Sequence, residues 1–139
     1  MKKKLSFVLA SLMVLVMALA MAGCGKPNLE DWYADNKETF ATMTDAVNAQ
    51  ADTNGCTVEV VVEDGNALVF RYTLTETFDT SDAEAMDYLT SIYDTYFDSY
   101  SATFTDVAEQ LANETSTENI VLRLEAVNPD GTLLYSRDF

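Results

Sequence analysis

Apolar residues recur at three- and four-residue spacing in two stretches of the chain, which predicts two amphipathic helices. For the first helix, Asn28 is the expected N-cap and Asn54-Gly55 the expected stop. The second runs over residues 82–112 and opens on Ser81 and Glu84, the spacing of a capping box. The acidic residues of this helix lie opposite its apolar residues. The apolar face is therefore expected to pack against the rest of the domain.

Strict alternation of apolar and polar residues indicates two pairs of strands, one between the helices and one after the second helix. A two-residue loop in the first pair would put the apolar residues of its strands on opposite faces. A three-residue loop, residues 64–66, brings them onto one face, and register follows the buried face. The residues then expected to pair are Val58, Val60, Val62, Leu68, Phe70 and Tyr72. Asn128-Pro129-Asp130-Gly131 is a strong turn signal between the last two strands.

The predicted element order is therefore α-β-β-α-β-β. Hairpins pair their own strands antiparallel, and a helix with one apolar face must bury that face against another element. We expect an α+β fold in residues 29–139: an antiparallel four-stranded sheet with two helices packed on one face.

The N-terminal segment has a different pattern. Lys2, Lys3 and Lys4 precede an apolar stretch, residues 5–22, and small residues follow, which is the order of a secretory signal. Met21-Ala22-Gly23-Cys24 resembles the lipobox of bacterial lipoproteins, with Met21 where leucine is usual. That resemblance implies removal of residues 1–23 and a diacylglyceryl group on the Cys24 thiol. The alternatives are an uncleaved membrane helix and plain secretion.

Lipidation of Cys24 has consequences for the residues that follow. Residues 25–28 are a tether of about 13–14 Å when extended, so the domain is expected to lie close to the membrane. The other cysteine, Cys56, would be left without a disulfide partner. It opens an apolar strand and is expected to pack as a small hydrophobic residue; a reactive thiol is the weaker alternative.

Composition excludes several classes of function. Three of the eight cations lie at positions 2–4, so five remain against 23 carboxylates and the net charge after position 24 is −18. Such a domain should not bind nucleic acid. With no histidine there is no Ser-His-Asp triad or histidine metal site, and the five glycines form no phosphate loop. We expect no catalytic residues, no metal and no cofactor.

Arginines on the strands form the one unexpected group. The alternation puts Arg71 and Arg123 on the sheet face away from the helices, beside Val61 and Val69. Arg137 joins them if the last loop has three residues and faces the helices if it has four. The group predicts a surface that binds carboxylates or an extended peptide. The alternative is cross-strand pairing of the arginines with the glutamates at positions 59 and 125.

Two groups on the longer helix have a possible functional interpretation and a plainer structural one. Asp87, Asp94 and Asp98 share a face that could bind a divalent cation weakly, but a solvated surface is expected. Tyr93, Tyr96 and Tyr100 could stack on a ligand, but their place in the apolar arc favours core packing with hydroxyls at the edge.

Short turn and strand motifs carry a further resemblance. They are Leu29-Glu30-Asp31-Trp32-Tyr33, Val58-Glu59-Val60, Phe70-Arg71-Tyr72, Asn128-Pro129-Asp130-Gly131-Thr132, Tyr135-Ser136 and Phe139. In these motifs the sequence resembles a known family over residues 28–139, the domain of unknown function 4854. The resemblance implies a small protein of Gram-positive bacteria, lipid-anchored in most members, and it implies no activity and no functional residues.

These features together predict a lipid-anchored protein on the extracytoplasmic face of the cell membrane. The expected role is a non-catalytic module that binds an envelope protein or a small ligand, with membrane lipid contacted through the acyl chains on Cys24. One alternative is a small hydrolase that uses paired carboxylates. The other is an inhibitor-like or structural envelope protein.

Overall fold

The computed structural model describes residues 26–139, so the predicted signal peptide and Cys24 lie outside the described residues. The part described contains five helices and one four-stranded sheet. In chain order they are α1 (Leu29–Asp35), α2 (Lys37–Asn48), α3 (Ala51–Asn54), β1 (Cys56–Glu63), β2 (Ala67–Leu74), α4 (Ala83–Ser99), α5 (Ser101–Glu114), β3 (Val121–Val127) and β4 (Leu133–Asp138). None of the helices in this part is both long enough and apolar enough to cross a bilayer.

The first predicted helix is three helices in the structure. It begins as expected, because the Asn28 side chain accepts a hydrogen bond from the Asp31 amide at 2.8 Å. It breaks at Asn36, whose side-chain amide donates to the Trp32 carbonyl at 2.8 Å and so competes with the regular helical bonds. The whole segment ends at Gly55, whose φ of 78° is the left-handed conformation that glycine adopts freely.

The second predicted helix also divides, into α4 and α5 at Tyr100. A straight helix of that combined length would measure about 48 Å at 1.5 Å per residue. Strands of six to eight residues span only about 20–27 Å. The bend keeps both helices over the short sheet, with Phe97 and Phe104 buried on either side of it. The N-cap is Asp82, which accepts from the Ala85 amide at 3.1 Å, so the capping box expected at Ser81 does not form.

The first hairpin has the predicted register. Val60 pairs with Phe70, and Glu63 pairs with Ala67 across a three-residue loop. Asp64 and Gly65 in that loop have positive φ, 54° and 74°. Side chains of the three even-numbered valines therefore lie on the face that the helices cover.

The sheet is mixed, so the prediction of a purely antiparallel sheet was wrong. Its order is β1-β2-β3-β4, with β2 and β3 parallel and the other pairs antiparallel. The physical reason is the crossover formed by α4 and α5. It carries the chain back over one face of the sheet to the end where β2 begins, and β3 then runs in the same direction as β2. Alternation within each hairpin holds no information about how two hairpins join.

The core lies between the helices and one face of the sheet. Its fully buried side chains come from every layer, and the largest are Tyr72, Phe70, Phe97, Phe104, Leu29, Leu68, Leu89, Leu122 and Leu124. An aromatic cluster at the β4 side is centred on Phe97, whose ring lies within 6.0 Å of Tyr93, Phe104, Tyr135 and Phe139. This cluster joins α4 and α5 to the last strand.

Hydrogen bonds attach Pro27 and Leu29, near the start of the described chain, to the rest of the domain. The Pro27 carbonyl accepts a hydrogen bond from the Ser116 amide at 2.8 Å. The Leu29 amide donates to the Thr117 hydroxyl, also at 2.8 Å. The chain thus enters the fold beside the segment that follows α5.

The two edges of the sheet differ. Asn48 of α2 covers the β1 edge, where its side chain accepts from the Val58 amide at 2.7 Å and donates to the Val58 carbonyl at 3.1 Å. The Tyr33 hydroxyl donates to the Val60 carbonyl at 2.6 Å. Within residues 26–139 no strand pairs with the outer edge of β4. One edge is therefore closed by side chains that act as a neighbouring strand would.

Candidate functional site

The outer face of the sheet, the one away from the helices, carries Arg71 and Arg123, the two arginines that the alternation assigns to it. The parallel pairing sets Arg71 beside Glu125 and Val69 beside Arg123. The antiparallel hairpin sets Arg71 opposite Glu59. Odd-numbered positions on β1, β2 and β3 thus bring the arginines and glutamates together on one face, as their alternation predicts.

Arg71 lies at the centre of this face and binds three carboxylates. Its Nε donates to Glu125 at 3.0 Å, one terminal nitrogen donates to Glu59 at 3.1 Å, and the other donates to Glu63. Burial acts to lower the pKa of the Arg71 guanidinium, but hydrogen bonds to the three glutamates raise it on balance. The cross-strand pairs with Glu59 and Glu125 are confirmed, and Glu63 adds a third that alternation alone did not identify.

Arg123 extends the network toward β4. It binds Asp138 through two nitrogens, at 2.7 and 3.1 Å, and approaches Glu63 at 3.8 Å. The hydrogen bond to Asp138 is the main cause that raises the pKa of Arg123. Two guanidinium groups therefore face four carboxylates, and the network has an excess of negative charge. A ligand carboxylate would have to displace a glutamate to reach Arg71.

Arg137 lies on the opposite face, toward the helices. It pairs in register with the core residue Leu124, and a β-bulge between Ala126 and Val127 shifts the strand by one residue. There it binds Asp98 of α4 at 2.9 Å and stacks over the Phe139 ring at 5.1 Å. The structure thus brings Arg71 and Arg123 together and separates Arg137 from them.

The valines of the expected surface are largely covered. Val69 is fully buried and Val61 is half-buried, because the long side chains of the network lie across the sheet. The open part of this face is a shallow depression of ≈ 440 Å³ that extends from Arg71 to the turn at Pro129, with Leu133 at its rim. The groups that this depression presents to a ligand are carboxylates already paired with Arg71 and a small apolar rim.

Two of the three aspartates on the acidic face of α4, Asp87, Asp94 and Asp98, have partners on β4. Asp94 accepts a hydrogen bond from the Tyr135 hydroxyl at 2.6 Å, and Asp98 binds Arg137. Both contacts tie α4 to β4. No cluster of metal-ligating side chains occurs in residues 26–139.

The tyrosine stripe of α4 divides. Tyr93 is buried in the aromatic cluster, Tyr96 is half-buried and Tyr100 is exposed. The rings of Tyr96 and Tyr100 lie 4.8 Å apart and are tilted by 45°. Together with Ile92 they line a second shallow depression of ≈ 440 Å³ along the helix. The prediction of core packing is thus confirmed for Tyr93, whereas Tyr100 lies at the surface. Apolar periodicity alone does not distinguish these two positions.

Cys56 is fully buried and forms no disulfide within residues 26–139. Burial raises the pKa of its thiol to about 11, which is the opposite of what a reactive thiolate needs. Its role as a small core residue is confirmed.

Burial of phenols and of the thiol predicts a loss of stability at alkaline pH. Burial raises the pKa of Tyr96 and Tyr135 to about 12 and that of Tyr72 well above 10. These groups must ionise to a greater extent in the unfolded chain, so the native state holds more protons and the free energy of unfolding falls as the pH rises above about 9. Urea denaturation from pH 7 to 11.5 should show this fall, with little change between pH 6 and 8 because the chain has no histidine. A flat profile to pH 11.5 would contradict it.

Replacing Arg71 by leucine is expected to lower the free energy of unfolding by about 2 kcal/mol, since three carboxylates then repel one another without a cation. The loss should shrink in 1 M salt, which screens the repulsion, and at acidic pH, where the unpaired carboxylates take up protons. Denaturation in urea at two salt concentrations measures it. Arg123→Leu is the matched control, with a smaller loss because no partner of Arg123 is as buried as Glu125, whose side chain is 11% exposed against 35% for Glu63 and 46% for Asp138. Equal losses at low and high salt would contradict the explanation.

Comparison with known proteins connects this fold to a family. Residues 29–139 match the family model described as a domain of unknown function, DUF4854. No curated protein matches the chain, and no solved structure does. The match covers the entire α+β domain from the first residue of α1 to the C-terminus, and the chain belongs to the DUF4854 family.

Proposed function

We propose that this chain is a lipid-anchored module on the extracytoplasmic face of the cell membrane, where it binds a partner or small ligand without catalysing a reaction. The observation that carries the proposal is the position of Cys24. Cations, an apolar stretch and small residues precede it. Three positions later, Pro27 already accepts a hydrogen bond from the Ser116 amide of the folded domain. Such an arrangement suits an anchor placed directly beside a folded domain.

The other cysteine supports lipidation over a disulfide. Cys56 is buried at the start of β1, and burial raises the pKa of its thiol to about 11. A disulfide would have to form at a thiol without solvent exposure, so a second sulfur beside Cys56 would disturb the packing there. A thioether to lipid on Cys24 requires no such change.

The point of entry also orients the domain in this proposal. Pro27 and Leu29 bind the segment after α5, and the Asn66 side chain of the first hairpin loop donates to the carbonyl of Asn119 in that segment at 2.8 Å. This end of the sheet would face the bilayer. The turn at Pro129 and the loop before α4 would point away, toward partners in the envelope.

Metabolic labelling with an alkyne analogue of palmitate tests the anchor. We expect the full-length chain expressed in a Gram-positive host to be labelled and to partition into the detergent phase of Triton X-114. Cys24→Ser should lose both properties, whereas Cys56→Ser, the matched control, should keep both. Labelling that persists in Cys24→Ser, or an unlabelled parent chain, would refute the anchor.

The outer face of the sheet stays a proposed partner surface, of secondary rank. Its arginines are paired, so a partner there would bind through the rim of the depression near Leu133, which is 54% exposed. Crosslinking of the intact protein in its native cells, compared between the parent chain and Arg71→Glu plus Arg123→Glu, tests this surface. An unchanged set of captured proteins would remove it from consideration.

A further inference from the structure

The last strand of the sheet has an open edge. β4 pairs with β3 on one side, and within residues 26–139 no strand pairs with its other side. The Phe139 amide donates to the Leu122 carbonyl at 2.8 Å, and the Leu122 amide donates to the Phe139 carbonyl at 3.1 Å. Backbone groups alternate in direction along an antiparallel strand, so the N–H and C=O groups of Ser136 and Asp138 point away from β3. The edge presents these donors and acceptors to a further strand.

The part of this edge after the β-bulge is regular and uncrowded. The bulge lies before Tyr135, so it limits the accessible edge to residues 135–139. Ser136 is exposed and has a short side chain, and β4 contains neither proline nor lysine, the residues that commonly block an edge. The inward-pointing Arg137 is paired with Asp98 at 2.9 Å. A short extended segment can therefore approach the backbone of β4.

Exposed carboxylates follow the same edge. They are Asp94 and Asp98 of α4, which bind side chains of β4, Asp130 in the turn before β4, and Asp138 at its end. The cations beside them are Arg137, bound to Asp98, and Arg123, bound to Asp138. Asp94 has only the neutral Tyr135 hydroxyl as its partner, so its charge is not compensated there. Negative charge is in excess along the edge.

Charge selects among possible occupants. A second copy of this chain would bring the same carboxylates to the edge, and its net charge of −18 after position 24 would repel the first copy. An acidic peptide is repelled in the same way. A basic peptide is attracted, and its backbone has the hydrogen-bonding groups that complement an open strand. In such a strand one alternate set of side chains lies on the side of Asp94 and Asp98, and the other set lies on the side of Ser136.

From these features we propose that the open edge of β4 binds a basic peptide segment in extended conformation. The segment adds to the sheet as a further strand, with alternate lysine or arginine side chains toward Asp94 and Asp98. This inference rests on the proposed function, because it names the class of partner that the binding module takes. The edge is short and supplies few hydrogen bonds, so affinity depends strongly on charge and falls as salt increases.

Fluorescence anisotropy with the full-length protein in Triton X-100, a non-ionic detergent, tests the edge. The probe is a labelled octapeptide of alternating lysine and threonine. The control peptide has the same sequence with a methyl group on every backbone nitrogen, which keeps the charge and removes every N–H donor. We expect the probe to bind, and the methylated peptide to bind at least about tenfold more weakly. No binding of the probe, or equal binding of the two peptides, would overturn the proposal.

Ser136→Pro removes an outward N–H group without removing a hydrogen bond between β3 and β4. We expect it to weaken binding of the probe about tenfold while its circular dichroism stays that of the parent. Ser136→Ala is the matched control, because it keeps the N–H group, and it should bind within about twofold of the parent. Equal losses in the two variants would count against an added strand.

A pair of charge variants keeps the test decisive if Ser136→Pro does not fold. Asp94→Asn plus Asp98→Asn should weaken binding of the probe about fivefold at low salt. Asp45→Asn plus Asp52→Asn removes the same charge from α2 and α3, which pack against β1 at the far side of the sheet. This control should bind within about twofold of the parent. Equal losses would show that net charge alone attracts the peptide and would overturn the site.

Two further outcomes separate this inference from its neighbours. A parent chain that crosslinks as a dimer without peptide, and as a monomer in Ser136→Pro, would assign the edge to a second copy and overturn the proposal. Lipidation does not enter the peptide measurement. Palmitate labelling without binding of the probe would refute the edge and keep the anchor, and the reverse result would refute the anchor alone.

Discussion

Replacing Asn128 by alanine is expected to lower the free energy of unfolding by about 3 kcal/mol. Its side chain accepts from the Phe78 amide at 2.8 Å and donates to the Phe78 carbonyl at 2.9 Å, and both bonds are buried. The pair joins the loop before α4 to the last turn, 50 residues apart in sequence. Alanine would leave two buried backbone groups without partners, and each costs about 1–3 kcal/mol. Urea denaturation of the variant measures the loss.

Asn66→Ala provides the comparison. The Asn66 side chain makes a hydrogen bond of the same kind to the Asn119 carbonyl, but this bond is exposed and water can replace the lost donor. We expect a loss below about 1 kcal/mol there. Similar losses for the two asparagines would show that burial of the Phe78 backbone is not the cause.

Replacing Phe97 by alanine is expected to cost about 4 kcal/mol. The side chain is 1% exposed, and its ring packs against rings from α4, α5 and β4 and against the C-terminal residue. Removing it opens a cavity where three elements meet, and the surrounding rings cannot collapse without moving α4. Guanidinium denaturation should give a lower midpoint with an unchanged slope.

Phe97→Leu keeps most of the buried volume and should lose about 1–2 kcal/mol. A loss of less than about 1 kcal/mol in Phe97→Ala would mean that the aromatic cluster is not the centre of the core.

Local patterns in the sequence predict local structure well in this protein. The alternation of valines in β1 with the large apolar residues of β2 predicts their register correctly, since a one-residue slip would expose the whole set. Asn28 and Gly55 mark the limits of the first helical segment because capping depends on the residue itself. The breaks at Asn36 and Tyr100 and the parallel pairing of β2 with β3 depend on the size of the sheet and the path of the crossover, which local periodicity does not contain.

The candidate sites show the same division. Arg71 and Arg123 lie on the face that alternation predicts. The third glutamate of the network, Glu63, is the last residue of β1, and its contact with Arg71 is diagonal and not between directly paired positions. Arg137 faces the helices because of a bulge, which no single residue signals, so the sequence leaves its face open. The sequence indicates a turn at Asn128, while the buried hydrogen bonds of its side chain to Phe78 depend on a loop 50 positions away.

The unequal edges of the sheet limit how copies of this domain can assemble. Growth of a fibre by strand addition needs two open edges on every subunit, one to receive and one to offer. Here Asn48 and Tyr33 occupy the β1 side. With only the β4 edge open in the described chain, two copies could pair only β4 to β4 about a two-fold axis. Such a dimer has no open edge left to bind a third copy. Two side chains of the first helices thereby protect the described domain from open-ended polymerisation.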